Sequence, residues 1–256
     1  MRLSLQDVGK TFRGRTGAWE AVRGFSLDIA EGEFVCLLGT SGCGKTTVLS
    51  MVAGFETPTA GRILLDGREV ARPGADRGVV FQGQDSLFDW LSALDNVAFG
   101  LRVRGVGRRE RRERARRFID MVGLGGQEAK HPGELSGGMK QRIQIARALA
   151  NDPRILLMDE PFGALDAMTR AGLQGEFSRI WRGTGKTVLF ITHDIEEAVA
   201  LATRVAVMTR GPGGRLKAVL PVDLPFPRDR TSDAFMAVFR EVHALIRAEI
   251  AGPSPA

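Results

Sequence analysis

The segment Gly39-Thr40-Ser41-Gly42-Cys43-Gly44-Lys45-Thr46 fits the pattern G-x-x-x-x-G-K-S/T and restricts the fold more than any other stretch of the chain. In such a loop, glycines let successive backbone N–H groups turn inward around phosphate oxygens. A lysine neutralises the β/γ charge, and a hydroxyl residue reaches Mg²⁺. Here those two residues are Lys45 and Thr46. The arrangement needs a strand to deliver the loop and a helix whose N-terminus faces the anion. The sequence supplies both: Phe34-Val35-Cys36-Leu37-Leu38 is an unbroken apolar run, and Thr46 to Ala53 reads as a helix. Gly occupies 32 of 256 positions, so a plain glycine-rich turn is the competing reading, and the strand and helix context argues against it.

The surrounding chain is organised around this unit. Period-two apolar patterns with turn residues run from Leu3 to Phe12, from Val22 to Ile29 and from Gly61 to Gly67, and predict antiparallel strands. From about Asp85 to Lys140 no strand pattern is convincing. Helical patterns at Leu94 to Val103 and Glu110 to Val122, punctuated by Gly, predict a helical insertion. Strand and helix then alternate through Arg154 to Asp159, Ala167 to Arg182, Thr187 to Thr192, Ile195 to Leu201 and Val205 to Thr209, as a parallel, helix-covered sheet requires. Gly211-Pro212-Gly213-Gly214 turns the chain into Arg215 to Val222. After Pro227 one amphipathic helix is expected, with Phe235, Val238, Phe239, Val242, Leu245 and Ile246 on a common stripe.

Composition narrows the class. The chain has 256 residues, 43% of them hydrophobic, enough for a substantial core. No apolar run reaches the ~18 residues of a spanning helix, the best candidate being broken by Arg204. The first residues, Met1 to Asp7, contain no apolar signal region, so a cytosolic protein is expected. The two cysteines, Cys36 in the buried strand and Cys43 in the phosphate loop, form neither a disulfide framework nor a metal pattern. Net charge is +6, much of it concentrated between Arg108 and Arg117. There Glu110 and Glu113 stand four residues before Arg114 and Arg117, as on a solvated helix face, with lipid headgroups or an acidic protein surface as the other readings. No nucleic-acid-binding module is recognisable.

Further candidate residues lie at predicted strand ends. Asp159 and Glu160 close the apolar strand Ile155-Leu156-Leu157-Met158. In a phosphate-loop protein the first carboxylate can hold Mg²⁺ through its water shell, and the second can orient or deprotonate the attacking water. His193 follows Val188-Leu189-Phe190-Ile191-Thr192 and is expected on the same sheet edge. Either it reaches a γ-phosphate, or it merely adjoins a helix N-cap formed by Asp194 or Thr192. Gln82 is expected to end a strand containing Val79-Val80-Phe81 and to ligate Mg²⁺ or the attacking water; Gln84 is a less favoured substitute.

Leu135-Ser136-Gly137-Gly138-Met139-Lys140-Gln141-Arg142, followed by the helical Ile143 to Leu149, is a second anion-binding pattern: a Ser plus Gly backbone N–H groups at a helix start. With the loop and the strand-end residues in this order, residues 1 to about 225 resemble the ATP-binding subunits of ABC transporters. The resemblance implies an α/β P-loop NTPase with a parallel core sheet, an N-terminal antiparallel β subdomain and an inserted α-helical subdomain at about 85–140. Residues 226–256 would form a helical tail. It implies ATP and Mg²⁺ as cofactors, with Gly39, Ser41, Gly42, Cys43, Gly44, Lys45, Thr46 and Thr47 around the phosphates and Thr46, Gln82 and Asp159 serving the metal. Glu160 would be the catalytic base, with His193 and Gln82 assisting. Two copies would stack head to tail, Ser136, Gly137 and Gly138 completing the partner's site and Asp166, in Ala164-Leu165-Asp166, communicating between sites.

Family members often stack adenine on an N-terminal tyrosine, and this chain has none. Phe12 stands where that ring is expected, with Trp19 as a substitute and core burial of Phe12 as the competing reading. A thiol at a helix N-terminus is expected to have a lowered pKa, which would make Cys43 reactive. The signature, the segment Asp89-Trp90-Leu91 and the short tail are similar to bacterial importers of nitrate, sulfonate or taurine type, although Asp89 stands where those commonly have Pro. The implied partners are a second copy, integral membrane permease subunits and, indirectly, a periplasmic solute-binding protein, with no nucleic acid. The implied location is the cytoplasmic face of the cell membrane. A soluble ABC ATPase acting on ribosomes or DNA is the alternative function.

Overall fold

Alternating apolar residues at the start of the chain build the first sheet. The computed structural model describes residues 2–14, 17–83 and 86–251. Along the chain, strands β1 (Leu3–Gly14), β2 (Gly17–Ile29) and β3 (Phe34–Leu38) precede helix α1 (Lys45–Ala53), which is followed by β4 (Ala60–Leu65) and β5 (Arg68–Glu69). Next come β6 (Arg77–Val80), α2 (Ala93–Val103), α3 (Arg108–Met121), α4 (Gly137–Ala150), β7 (Ile155–Asp159) and α5 (Ala167–Thr184). The chain closes with β8 (Thr187–Thr192), α6 (Ile195–Leu201), β9 (Arg204–Met208), β10 (Leu216–Pro221) and α7 (Asp233–Ala251). These elements form two compact units: residues Met1–Gly74 with Thr187–Ala256, and residues Ala75–Lys186.

The first unit contains an antiparallel sheet in the order β2-β1-β4-β5. Its alternation places Leu3, Leu5, Val8, Phe25, Leu27, Ile29, Ile63 and Leu65 in the core. The same unit holds a mixed sheet, β10-β9-β3-β8, in which β3 runs parallel to both β8 and β9 while β10 pairs antiparallel with β9. β3 and β8 are buried along their whole length, as expected for strands covered on both faces. Helices α1 and α6 pack on this sheet, and α7 lays its stripe against α6 and β9, with Phe235 and Val242 fully enclosed. Burying such side chains contributes roughly 1.5–3 kcal/mol each.

In the second unit β6 and β7 form a parallel pair, and α2, α3 and α4 pack together beside it. This unit is wider than the helical stretch read from the sequence at 85–140, because β6, β7 and α5 belong to it; Asp85 and Gln84 lie outside the described residues. The arginine-rich run is α3, and of the two ion pairs expected along it Arg114–Glu110 forms at 3.7 Å. Arg112 reaches instead to Asp95 on α2, at 3.8 Å. Among the described residues no helix is long and apolar enough to cross a membrane.

Candidate functional site

In the first unit the parallel register aligns Leu38 of β3 with Thr192 of β8. The phosphate loop, beginning at Gly39, and His193 therefore leave adjacent strands at the same level of the same sheet edge, where ligands of parallel sheets bind. The loop folds tightly, with the Cys43 N–H donating to the Thr40 carbonyl at 3.3 Å. Gly44 adopts φ +101°, and a Cβ there would lie 2.7 Å from the Ala21 carbonyl oxygen, so both conformation and space demand glycine. Gly39, Ser41, Gly42 and Gly44 shape the turn, while Thr46 and Thr47 follow Lys45 in the first turn of α1.

Three observations suit this loop to a phosphate chain. Gly44 is the N-cap of α1 and has no side chain to cap the helix, and the first turn carries no acidic residue. The positive end of the helix dipole is therefore available to an anion. Lys45 is 6% exposed and its ammonium donates to the Gly39 and Thr40 carbonyls at 2.8 and 3.0 Å, with no carboxylate pairing with it among the described residues. A buried cation without a counter-ion is expensive unless an anion arrives. The Thr40 hydroxyl is likewise buried without a hydrogen-bond partner.

Cys43 departs from expectation. Its side chain is fully buried, and burial pushes the thiol above its ordinary value despite the opposing pull of Lys45, whose Nζ lies 3.8 Å from the sulfur. Desolvation of the thiolate outweighs the helix N-terminus, so the lowered pKa read from the sequence is corrected. Phe12 is half-buried rather than a core residue, and it faces Trp19 across the β1–β2 ladder, the rings stacked with centroids 5.8 Å apart and planes at 19°. The Lys10 ammonium sits 4.9 Å from the Phe12 centroid. At the other strand end, Asp194 caps α6 by accepting the Glu197 N–H at 3.1 Å, and Thr192 Oγ1 accepts the Asp194 N–H at 3.0 Å. Asp194 is thus the cap, as the competing reading has it, and the exposed His193 adjoins it.

The second unit repeats the strand-end geometry. Val80 of β6 is in register with Met158 of β7, so Gln82 and Glu160, each two residues further on, emerge at one level. Gln82 Nε2 donates to Glu160 Oε2 at 3.4 Å. β6 ends at Val80, before Phe81 and Gln82; the sequence reading placed its end two residues late because Phe81 extends the apolar run while being 43% exposed. Asp159 is nearly buried at the end of β7. Glu160 has φ +40°, a conformation that typically costs a non-glycine residue about 1–3 kcal/mol and concentrates at functional positions.

Ser136 is the N-cap of α4, its hydroxyl accepting the Met139 N–H at 3.3 Å, with Gly137 and Gly138 in the first turn. A Cβ on Gly138 would lie 2.9 Å from Thr169 Cγ2. Asp166 caps α5 by accepting the Thr169 and Met168 N–H groups at 3.0 and 3.1 Å, and the bond from Thr169 first among them holds its carboxyl below the usual range. Sequence reasoning missed two residues of α4 that secure the Gln82 segment: Gln144 Nε2 donates to the Gly83 carbonyl at 2.9 Å and Arg147 Nη1 to the Ser86 carbonyl at 2.8 Å. Polar residues on the otherwise apolar side of α4 were the available signal.

The same unit carries a cavity of about 630 Å³ lined by Phe81, Phe88, Phe99, Val103, Arg104 and Arg147 among others. The Arg147 guanidinium lies 5.5 Å from the Phe88 ring, and the neighbouring Trp90 is 72% exposed. Asp89, on the same segment, is exposed, and its carbonyl lies 3.3 Å from His131 Nδ1.

Comparison with known proteins agrees with these features. Residues 22–163 match the family profile described as "ABC transporter". The chain is 52% identical over 212 residues to the taurine import ATP-binding protein TauB of Burkholderia pseudomallei, covering 83% of this chain and 81% of that protein. It is 44% identical over 255 residues to the nitrate import ATP-binding protein NrtD of Synechocystis, covering 96% of each. Among solved structures, a dimeric ATP-binding cassette in a post-hydrolysis state with ADP and Pi is similar, with a TM-score of 0.73 and 34% identity over 86% of this chain and 98% of that one.

Proposed function

The chain belongs to the ATP-binding subunits of ABC transporters, and from that premise we propose that its ATP hydrolysis powers import of a small solute through a membrane permease. The observation that carries import, rather than another use of ATP, is the similarity to proteins named for taurine and nitrate import, over 83% and 96% of this chain. In this reading Gly39, Ser41, Gly42, Cys43, Gly44, Lys45, Thr46 and Thr47 wrap the phosphates, mainly through backbone N–H groups, and Phe12 stacks on the base. Lys45 exchanges its loop carbonyls for phosphate oxygens. Thr46, Gln82 and Asp159 would be the residues to hold Mg²⁺, which would supply neutralisation of the β/γ charge.

Glu160 accepts the proton of the attacking water, Gln82 orients that water, and His193 donates to the γ-phosphate. Two copies act as a head-to-tail dimer, each contributing Ser136, Gly137 and Gly138 to its partner's nucleotide, with Asp166 passing the state of one site to the other. In this reading the ring-lined cavity beside Asp89 and Trp90 receives a permease segment, and the subunit works at the cytoplasmic face of the membrane. A periplasmic solute-binding protein takes part indirectly. ATP closes the dimer and moves the permease; hydrolysis and phosphate release reopen it.

The test is affinity purification from native cells in mild detergent, paired with Glu160→Gln. Co-purification of a multi-helix permease, and an ATP-locked dimer with hydrolysis reduced roughly 10²–10⁴-fold in the variant, are expected. Ribosomal or DNA-repair proteins in the eluate would overturn import while leaving the ATPase chemistry intact. Wild-type turnover by the variant would remove Glu160 from its role.

A further inference from the structure

α6, which begins two residues after His193, is seven residues long. So short a helix has little stability of its own, and its position is set by whatever anchors it. Besides its packing on β3 and α7, α6 is gripped at its C-terminal end by Arg228, a residue outside every motif in the chain. Its Nη1 donates to the Val199 and Ala202 carbonyls, both at 2.6 Å, its Nη2 to the Val222 carbonyl at 2.9 Å and its Nε to the Leu224 carbonyl at 3.3 Å. The guanidinium also lies 4.1 Å from the centroid of the Phe226 ring. Val199 lies in the last turn of α6 and Ala202 is its C-cap, so the guanidinium occupies carbonyls that a helix end leaves without intrahelical partners.

A second contact grips the other end. Arg230 Nη1 reaches Glu196 Oε1, in the first turn of α6, at 2.5 Å. Residues 222–230 thus hold the helix at both ends, while Asp194 and Thr192 complete the N-terminal cap beside His193. Burial lowers the Arg228 pKa to about 10, which leaves it charged at neutral pH. A lysine could not span these four acceptors, because only the planar fork of arginine presents its donors in fixed directions.

We infer that Arg228 is a positioning residue for His193: by clamping α6 it fixes where the imidazole meets the γ-phosphate, and so makes the start of the C-terminal tail part of the sensor that distinguishes ATP from ADP. The inference rests on His193 contacting the γ-phosphate, as proposed above. The experiment is a double-mutant cycle in the full chain with Arg228→Gln and His193→Ala, reading the affinity ratio of a non-hydrolysable ATP analogue to ADP. In Arg228→Gln, ADP affinity is expected to stay at wild type while the ratio falls about tenfold; in the His193→Ala background the same change is expected to add nothing. Arg230→Ala, which releases the exposed end only, provides a milder variant should Arg228→Gln not fold, and is expected to move the same ratio less. Equal weakening of both nucleotides, or the same drop in both backgrounds, would reduce Arg228 to a structural staple and overturn the inference. A wild-type ratio in His193→Ala would overturn the γ-phosphate reading and the inference with it.

Discussion

Two helix N-termini, those of α1 and α4, both begin with serine or glycine-rich sequence, yet they are built differently. α1 starts at Gly44, which offers no capping side chain, beside a buried lysine with no carboxylate partner among the described residues. α4 starts at Ser136, whose hydroxyl already accepts one of its own first-turn N–H groups. The first terminus has no side-chain cap for its donors, the form that a phosphate cradle requires. The second is already partly satisfied, and suits a site that only completes a phosphate shell held elsewhere. The difference teaches that a glycine-rich anion motif is not one device: what decides its strength is whether the helix cap comes from the chain or must come from the ligand.

The contrast is breakable. Gly44→Ala is expected to have the largest effect, abolishing ATP binding and destabilising the fold by about 1–3 kcal/mol, since φ +101° and the Ala21 carbonyl both oppose a Cβ. Nucleotide titration with thermal unfolding reads this, and wild-type affinity would show that α1 is not the primary cradle. Ser136→Ala should leave ATP affinity of the isolated subunit unchanged, cost about 1 kcal/mol of stability through the lost cap, and lower steady-state hydrolysis by about 10²-fold. If it weakens ATP binding in the subunit as much as turnover, the two termini are equivalent after all.

Phe12→Ala is expected to weaken ATP binding by roughly 1–3 kcal/mol, and more than Trp19→Ala, which removes only the ring stacked behind it. The reverse ranking would move the base to Trp19. Smallest of all is the effect at Cys43. Because burial holds its thiol above the ordinary 9.0, the thiolate is scarce at pH 8 and becomes abundant only at higher pH. Alkylation over a time that fully labels free cysteine should leave most of the ATPase activity, with labelling accelerating as pH rises; rapid inactivation at pH 8 would restore the reactive-thiol reading.

Legibility followed the range of the interactions. The bounds of β8 and α6, and α1 to within one residue, could be read because a buried apolar run, a glycine and an N-cap aspartate are local signals. The same local signals put Glu160 and His193 directly after the ends of β7 and β8. The end of β6 was misplaced because Phe81 continues an apolar pattern that the parallel partner β7 does not continue to pair. Asp166 was read for communication and missed as a cap, although an aspartate before a helix is a cap signal.

By itself the sequence determined that the chain is a phosphate-loop α/β protein with a second anion motif, which residues could carry the chemistry and which family they resemble, because glycine, lysine and strand-end carboxylates act through backbone geometry written over a few residues. Only the tertiary structure decided that Leu38 and Thr192 stand level, that Cys43 is desolvated, that Phe12 is backed by Trp19, and that Arg228 clamps α6. Each of these depends on which distant segment supplies the neighbour, and burial, register and the pairing of a helix end with a residue from another segment are not encoded in any local pattern.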